Sequence, residues 1–161
     1  MTGAKPTDYH LLRKQVEALL GAESDPLANS ANFVALLYRT IDAINWAGIY
    51  VLRGDELVLG PFQGKPACVR IPLGQGVCGT AAQCRTSLRV ADVHAFDGHI
   101  ACDADSNSEL VVPLTVNGAL VGVLDIDSPL LDRFSAADQQ GIELLCAAYA
   151  GRLEVAGGAF I

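Results

Sequence analysis

Apolar residues recur at helical spacing between Tyr9 and Leu20, at positions 11, 12, 16, 19 and 20, and predict an amphipathic helix. Asp25-Pro26 carries the signature of an N-cap followed by proline at the first helical position. The helix it opens is expected to run to about Ile41, with Leu27, Ala31, Val34, Tyr38 and Ile41 on one stripe. From Asn45 to Leu52 the composition turns aromatic and β-branched, which predicts a strand. Arg53-Gly54-Asp55-Glu56 turns the chain into a second strand, Leu57 to Phe62, and Gln63-Gly64-Lys65-Pro66 into a third, Cys68 to Leu73. Pro72 marks that third strand as an edge or its own terminus. A short helix is predicted from Gly76 to about Cys84, and a strand over Leu88 to Ala91. Asp92 to Ser108 is a long polar segment, and a loop of that length in a compact domain is usually functional or disordered. Strands at Glu109–Val116 and Ala119–Asp125 flank Asn117-Gly118, the strongest short hairpin signal. Ser135-Ala136-Ala137-Asp138 has capping-box spacing, with Asp in the position of the usual Glu or Gln. It opens a last helix to about Val155, and the Gly157-Gly158 tail is expected to fray.

The order α-α-β-β-β-α-β-β-β-α combines a meander with a terminal hairpin. It implies an α+β domain with a mainly antiparallel sheet and helices largely on one side, not a doubly wound sheet. A chain of 161 residues, 51% of them hydrophobic, is expected to form a single domain, 1–161, with a proper core. A formal net charge of -7, from 18 acidic and 11 basic residues, disfavours nonspecific binding to nucleic acid or anionic membranes. No run approaches the roughly 18 apolar residues of a membrane helix, and Met1 to Pro6 is not followed by a signal-peptide core. A soluble, cytoplasmic protein is the expectation.

Five cysteines stand at 68, 78, 84, 102 and 146. An odd number without a CxxC pair reads poorly as a disulfide framework, a zinc knuckle or a thioredoxin motif. Cys146 lies in the apolar run Leu144-Leu145-Cys146-Ala147-Ala148 and is expected in the core. Cys84, beside Arg85, is read as structural or incidental. Cys68 follows a turn, Cys78 sits at a helix start where the dipole favours thiolate, and Cys102 lies in the polar loop. At least one of these three is a candidate for a reactive thiol.

Two further patterns carry little chemistry. Gly74-Gln75-Gly76-Val77-Cys78-Gly79 matches GxGxxG, with Asp92 about 18 residues beyond Gly74, but the short helix and the element order do not suit a dinucleotide fold. Its glycines are read as turn and packing positions. His94, His99 and Cys102, with Asp97 or Asp103, include zinc-ligand types at a spacing that matches no closed structural site. No metal or other cofactor is assigned, and the histidines are read as closing the loop by hydrogen bonds. Trp46 and Tyr50 share a strand face, as core or as the wall of a site. Asp125 and Asp127 also share a face; they are solvated at a strand exit or they hold an amine.

The segments Ile44–Tyr50, Leu59–Gly64, Gly76–Ala81, Asp97–Asp103, Ser106–Glu109 and Gly122–Ser128 closely resemble the free methionine-(R)-sulfoxide reductases, which are GAF-domain enzymes. The resemblance covers nearly the whole chain, and Cys68, Cys78 and Cys102 fit the family's cysteine pattern. It implies a GAF-like fold, a six-stranded mainly antiparallel sheet flanked by helices. It implies reduction of free methionine-(R)-sulfoxide, with thioredoxin as electron donor and a homodimeric enzyme. By resemblance, Cys102 is the nucleophile, Cys68 the first choice for resolving thiol and Cys78 the second. Glu109 or Asp127 then supplies the proton, Glu109, Asp125 and Asp127 bind the substrate ammonium, and Trp46 and Tyr50 cradle the methyl-sulfur end. A non-enzymatic GAF module that senses a small ligand, or a thiol redox sensor, are the alternatives on the same fold.

Overall fold

Asp8 and Asp25 each start a helix by the same device. The Asp8 carboxylate accepts from Leu11 N at 2.9 Å and opens α1, Tyr9–Leu20; that of Asp25 accepts from Ala28 N at 2.9 Å and opens α2, Pro26–Thr40. These come from a computed structural model that describes residues 3–100 and 102–155; the Gly157-Gly158 tail lies outside them. The remaining elements are β1 (Trp46–Arg53), β2 (Glu56–Gly64), β3 (Arg70–Pro72), α3 (Gly76–Cys84), β4 (Leu88–Val90), β5 (Ser108–Val116), β6 (Ala119–Ser128) and α4 (Ala136–Val155). The capping box at α4 is reciprocal: Asp138 N donates to Ser135 Oγ at 3.1 Å, and Ser135 N to Asp138 Oδ2 at 2.9 Å.

The six strands form one sheet in the order β3-β2-β1-β6-β5-β4, with every pairing antiparallel. The fold is therefore α+β, as the element order implies. The β5–β6 hairpin turns at Asn117 and Gly118, both at positive φ (52° and 77°), the backbone that Asn-Gly favours.

Strand alternation gives the sheet two different faces. Ala47, Ile49 and Val51 of β1, with Leu110, Val112, Leu124 and Ile126, face a core closed by α1, α2 and α4. Trp46 and Tyr50, with Val111 and Val123, face the other way, toward α3 and the β2–β3 edge.

Four details differ from the periodicity. The buried side of α2 is Ser30, Phe33, Val34, Leu37 and the following Ile41, while Leu27 and Tyr38 are exposed. The helix is turned because Phe33 stacks on Tyr149 at 4.5 Å and Ser30 bonds to the Tyr149 hydroxyl, so a serine lies in the core. On α1, only Leu12, Val16 and Leu20 are buried, and Leu11 and Leu19 remain exposed. The strand expected over Cys68 to Leu73 shrinks to Arg70–Pro72, and β6 continues to Ser128, three residues past its expected end at Asp125. That last difference carries Asp125 and Asp127 inside the sheet. Among the described residues, no helix is long and apolar enough to cross a membrane.

Candidate active site

The register of the three central strands assembles the acids. Asp127 of β6 lies opposite Trp46 on β1 and opposite Glu109 on β5; Asp125 lies opposite Gly48 and Val111. Asp125, Asp127, Glu109 and Trp46 thus occupy neighbouring positions on one face, in the middle of the sheet. Gly48 is required there: a Cβ on it would stand 2.3 Å from the Trp46 ring, which lies across the glycine. Trp46 stacks on Phe62 at 5.4 Å and on Tyr50 at 5.9 Å between ring centroids.

The other wall is α3. Gly74 and Gly76, at φ 83° and 63°, turn the chain into this helix, and Gly74 N donates to Gly79 O at 2.8 Å. Gly79 packs so closely that a Cβ would meet Pro72 O at 2.4 Å. The glycines of the GxGxxG match thus serve turning and close packing. They seat Cys78, only 3% exposed, with its Sγ 3.7 Å from Glu109 Oε1.

Cys68 and Cys102 form a disulfide that joins the β2–β3 connection to the loop before β5. Each of those segments is held. Trp46 Nε1 donates to Lys65 O at 3.0 Å and Tyr50 Oη to Cys68 O at 2.8 Å, so the two aromatic side chains hold the backbone of the segment at Lys65 and at Cys68. Lys65 Nζ pairs with Asp105 and lies 4.0 Å from Asp103, across to the Cys102 loop. That loop is tied at its base, with Val93 N bonded to Asn107 O at 2.9 Å and Asn107 N to Ser128 O at 2.8 Å.

Trp46, Tyr50, Cys78, Cys102, Glu109, Asp125 and Asp127 line one cavity, and Cys68 reaches it through its bond to Cys102. With the disulfide closed, the cavity volume is about 40 Å³, room for a few water molecules. All the residues singled out as catalytic or substrate-binding candidates are therefore brought together. Cys146 is buried in the opposite core, and Cys84 is exposed at the end of α3. Of the histidines, His94 pairs with Asp92 at 2.9 Å, whereas His99 lines the cavity beside Ile100. Lys65, Ile100 and Ser106 also line it and were not anticipated. Lys65 is the one with a sequence signal, a cation three residues before a candidate thiol.

The electrostatics overturn two readings. Asp125 is not solvated at a strand exit: it is 6% exposed, and its Oδ1 is buried without a hydrogen-bond partner, while Asp127 is half-buried beside it. Burial, more than any neighbour, raises the Asp125 carboxyl to about 6. Burial also lifts Glu109 well above the usual carboxylate range, with Asp125 and Asp127 adding to it. Asp127 is raised well above its usual value by burial, then by Asp125 and Asp103. Cys78, expected as a thiolate because it starts a helix, is pushed the other way by burial and then by Asp125 and Glu109. Desolvation and nearby carboxylates outweigh a dipole worth about 0.3–1 kcal/mol. All three carboxyls on the cavity floor are thus raised by burial, and Asp125 is lifted to about 6.

Known proteins resemble this chain over most of its length. The model of the GAF domain matches residues 25–155. The free methionine-R-sulfoxide reductase of Escherichia coli (strain K12) is 56% identical over 139 residues, which cover 86% of this chain and 84% of that protein. Protein YtsP of Bacillus subtilis (strain 168) is 55% identical over 141 residues, 86% of each chain. The solved structure of fRMsr of Staphylococcus aureus in its reduced form superposes with a TM-score of 0.92 at 50% identity, covering 95% of this chain and 99% of the other.

Proposed function

The chain belongs to the GAF-domain free methionine-R-sulfoxide reductases, and from that membership we propose that it reduces free methionine-(R)-sulfoxide to methionine through Cys102. The observation that carries this reading is the Cys68–Cys102 disulfide at a cavity floored by Cys78, Glu109, Asp125 and Asp127.

In the proposed cycle, the Cys102 sulfur attacks the sulfoxide sulfur while a protonated carboxyl donates to the sulfoxide oxygen. The attack gives an adduct with a bond between the two sulfurs. The protonated oxygen then passes from the substrate sulfur to the Cys102 sulfur as the S–O and S–S bonds to the substrate break, methionine leaves with the electron pair, and Cys102 is left as a sulfenic acid. Glu109 suits the donor role, being buried with its carboxyl raised well above the usual carboxylate range. Asp127 shares that elevation and stands next to it. Asp125, the most readily ionised of the three, suits the substrate ammonium. The rings of Trp46 and Tyr50 offer the aromatic contact that sulfur and methyl groups favour. Cys68 then displaces water from the sulfenic acid and forms the disulfide; its pairing with Cys102 supports it over Cys78 as resolving thiol.

A dithiol reductant such as thioredoxin resets the enzyme by exchange. Cys102 must be a free thiol to attack, so reduction of the disulfide precedes each turnover. Residues 1–161 act as a single GAF domain, in a cytoplasmic homodimer, without metal or cofactor in the reaction. The test is methionine release from free methionine-(R)-sulfoxide with thioredoxin and its reductase. Wild type turns over, Cys102→Ala does not, and Cys68→Ser releases about one methionine per enzyme before stopping. Turnover retained in Cys102→Ala would move the attack to another thiol. A wild type that is oxidised by peroxide yet releases no methionine would favour the redox-sensor alternative.

A further inference from the structure

We propose that Cys78, Glu109 and Asp125 form a binding site for a thiophilic divalent cation, zinc or cadmium, that competes with the substrate's ammonium group. The metal-binding half stands on geometry alone; the competition rests on the reductase reading.

Three different elements, α3, β5 and β6, converge here, and one ligand atom from each side chain lies within 4.8 Å of the others. The Cys78 Sγ to Glu109 Oε1 separation is 3.7 Å. Zinc bonds of about 2.3 Å to sulfur and 2.1 Å to oxygen, at a tetrahedral angle, require a separation of about 3.6 Å. The third ligand is already poised. Asp125 Oδ1 is buried and unpartnered in a residue that lines the cavity, so one acceptor lacks the donor that burial normally demands. A water can take the fourth position.

Charge points the same way. Asp103, Glu109, Asp125, Asp127 and the Cys78 thiol all line this space, whereas Lys65, the lysine at its rim, is engaged by Asp103 and Asp105. One sulfur with two carboxylate oxygens selects zinc or cadmium and disfavours magnesium or calcium. Binding must expel protons from the thiol and carboxyls, so affinity rises with pH.

The test uses the full chain carrying Cys68→Ser, Cys84→Ser and Cys102→Ser, which removes turnover and leaves two thiols, Cys78 and Cys146, the latter buried in the opposite core. Cadmium titration is followed by the near-ultraviolet absorption of the metal–thiolate bond. The expected result is one equivalent bound with that absorption, undisturbed by magnesium. Adding Cys78→Ser abolishes the absorption, and adding Asp125→Asn weakens binding by about tenfold or more. Circular dichroism of both variants checks the fold, and Asp125→Asn decides the matter if Cys78→Ser does not fold. No thiolate absorption, absorption that survives Cys78→Ser, or affinity indifferent to Asp125→Asn would each overturn the site. Free methionine-(R)-sulfoxide is expected to weaken cadmium binding; failure to do so overturns the competition. If the reductase reading were the faulty part, the cadmium absorption would remain while wild type released no methionine.

Discussion

The two faces of the sheet are built from the same strands and do opposite things. On one face, Ile49, Leu110, Leu124 and Ile126 are each 0% exposed against α1, α2 and α4, with apolar atoms meeting apolar atoms. On the other, residues one position away in the same strands bury Glu109 and Asp125 at 6% exposure, with Asp125 Oδ1 left unpaired. The first face gains the free energy of apolar burial, and the second pays a desolvation cost. Strand alternation lets both coexist. The core face fixes strand register, and the register places three acids where no isolated element would hold them. Stability and chemistry are thus separable by mutation, although they share β1, β5 and β6.

The sharpest challenge to that separation is Glu109→Gln. It removes the proposed proton donor from the site face, and turnover is expected to fall by about 10²–10⁴-fold. Chemical denaturation at pH 8 should find the variant as stable as wild type or more so. A large loss of stability would tie the acid to the fold and break the comparison. Leu124→Ala, on the opposite face of β6, makes the reverse demand. Its cost should be about 2–5 kcal/mol in urea melts, with turnover per folded molecule little changed at low temperature. Equal damage to turnover would mean that the packed face also tunes the site.

A pH profile sharpens the contrast. A carboxyl whose folded pKa is raised leaves stability intact below its unfolded value and takes it away as pH rises through the folded one. For Asp125, near 3.8 unfolded and about 6 folded, the loss runs from about pH 4 to 6. Glu109 and Asp127, raised further, extend the decline to higher pH. Asp125→Asn should flatten the first part and recover on the order of 3 kcal/mol at neutral pH, read from denaturation midpoints across pH. The smallest effect belongs to neither face: Ser135→Ala removes half of the α4 capping box and should cost about 1 kcal/mol without altering KM.

Most elements could be read from local pattern because their signals are local: the Asp8 and Asp25 caps, the Asn117-Gly118 turn, the Ser135–Asp138 box. The buried side of α2 could not. Ser30 enters the core through a bond to Tyr149, 119 residues away, and no window of sequence contains both. The site behaved likewise. Its residue types were visible one at a time, and resemblance grouped them. Whether Asp125 and Asp127 were solvated depended on β6 running on to Ser128 between two partners, a property of the whole sheet. Cys78 misled because a helix start argues for thiolate, and the stronger opposing charges come from distant strands.

The disulfide between residues 68 and 102 closes 34 residues of chain into a loop. A cross-link of that span removes unfolded-chain entropy worth about 4 kcal/mol at room temperature. In the proposed cycle the oxidised form would then be the more durable one, harder to unfold than the reduced form, and a shortage of reductant would store the protein rather than waste it.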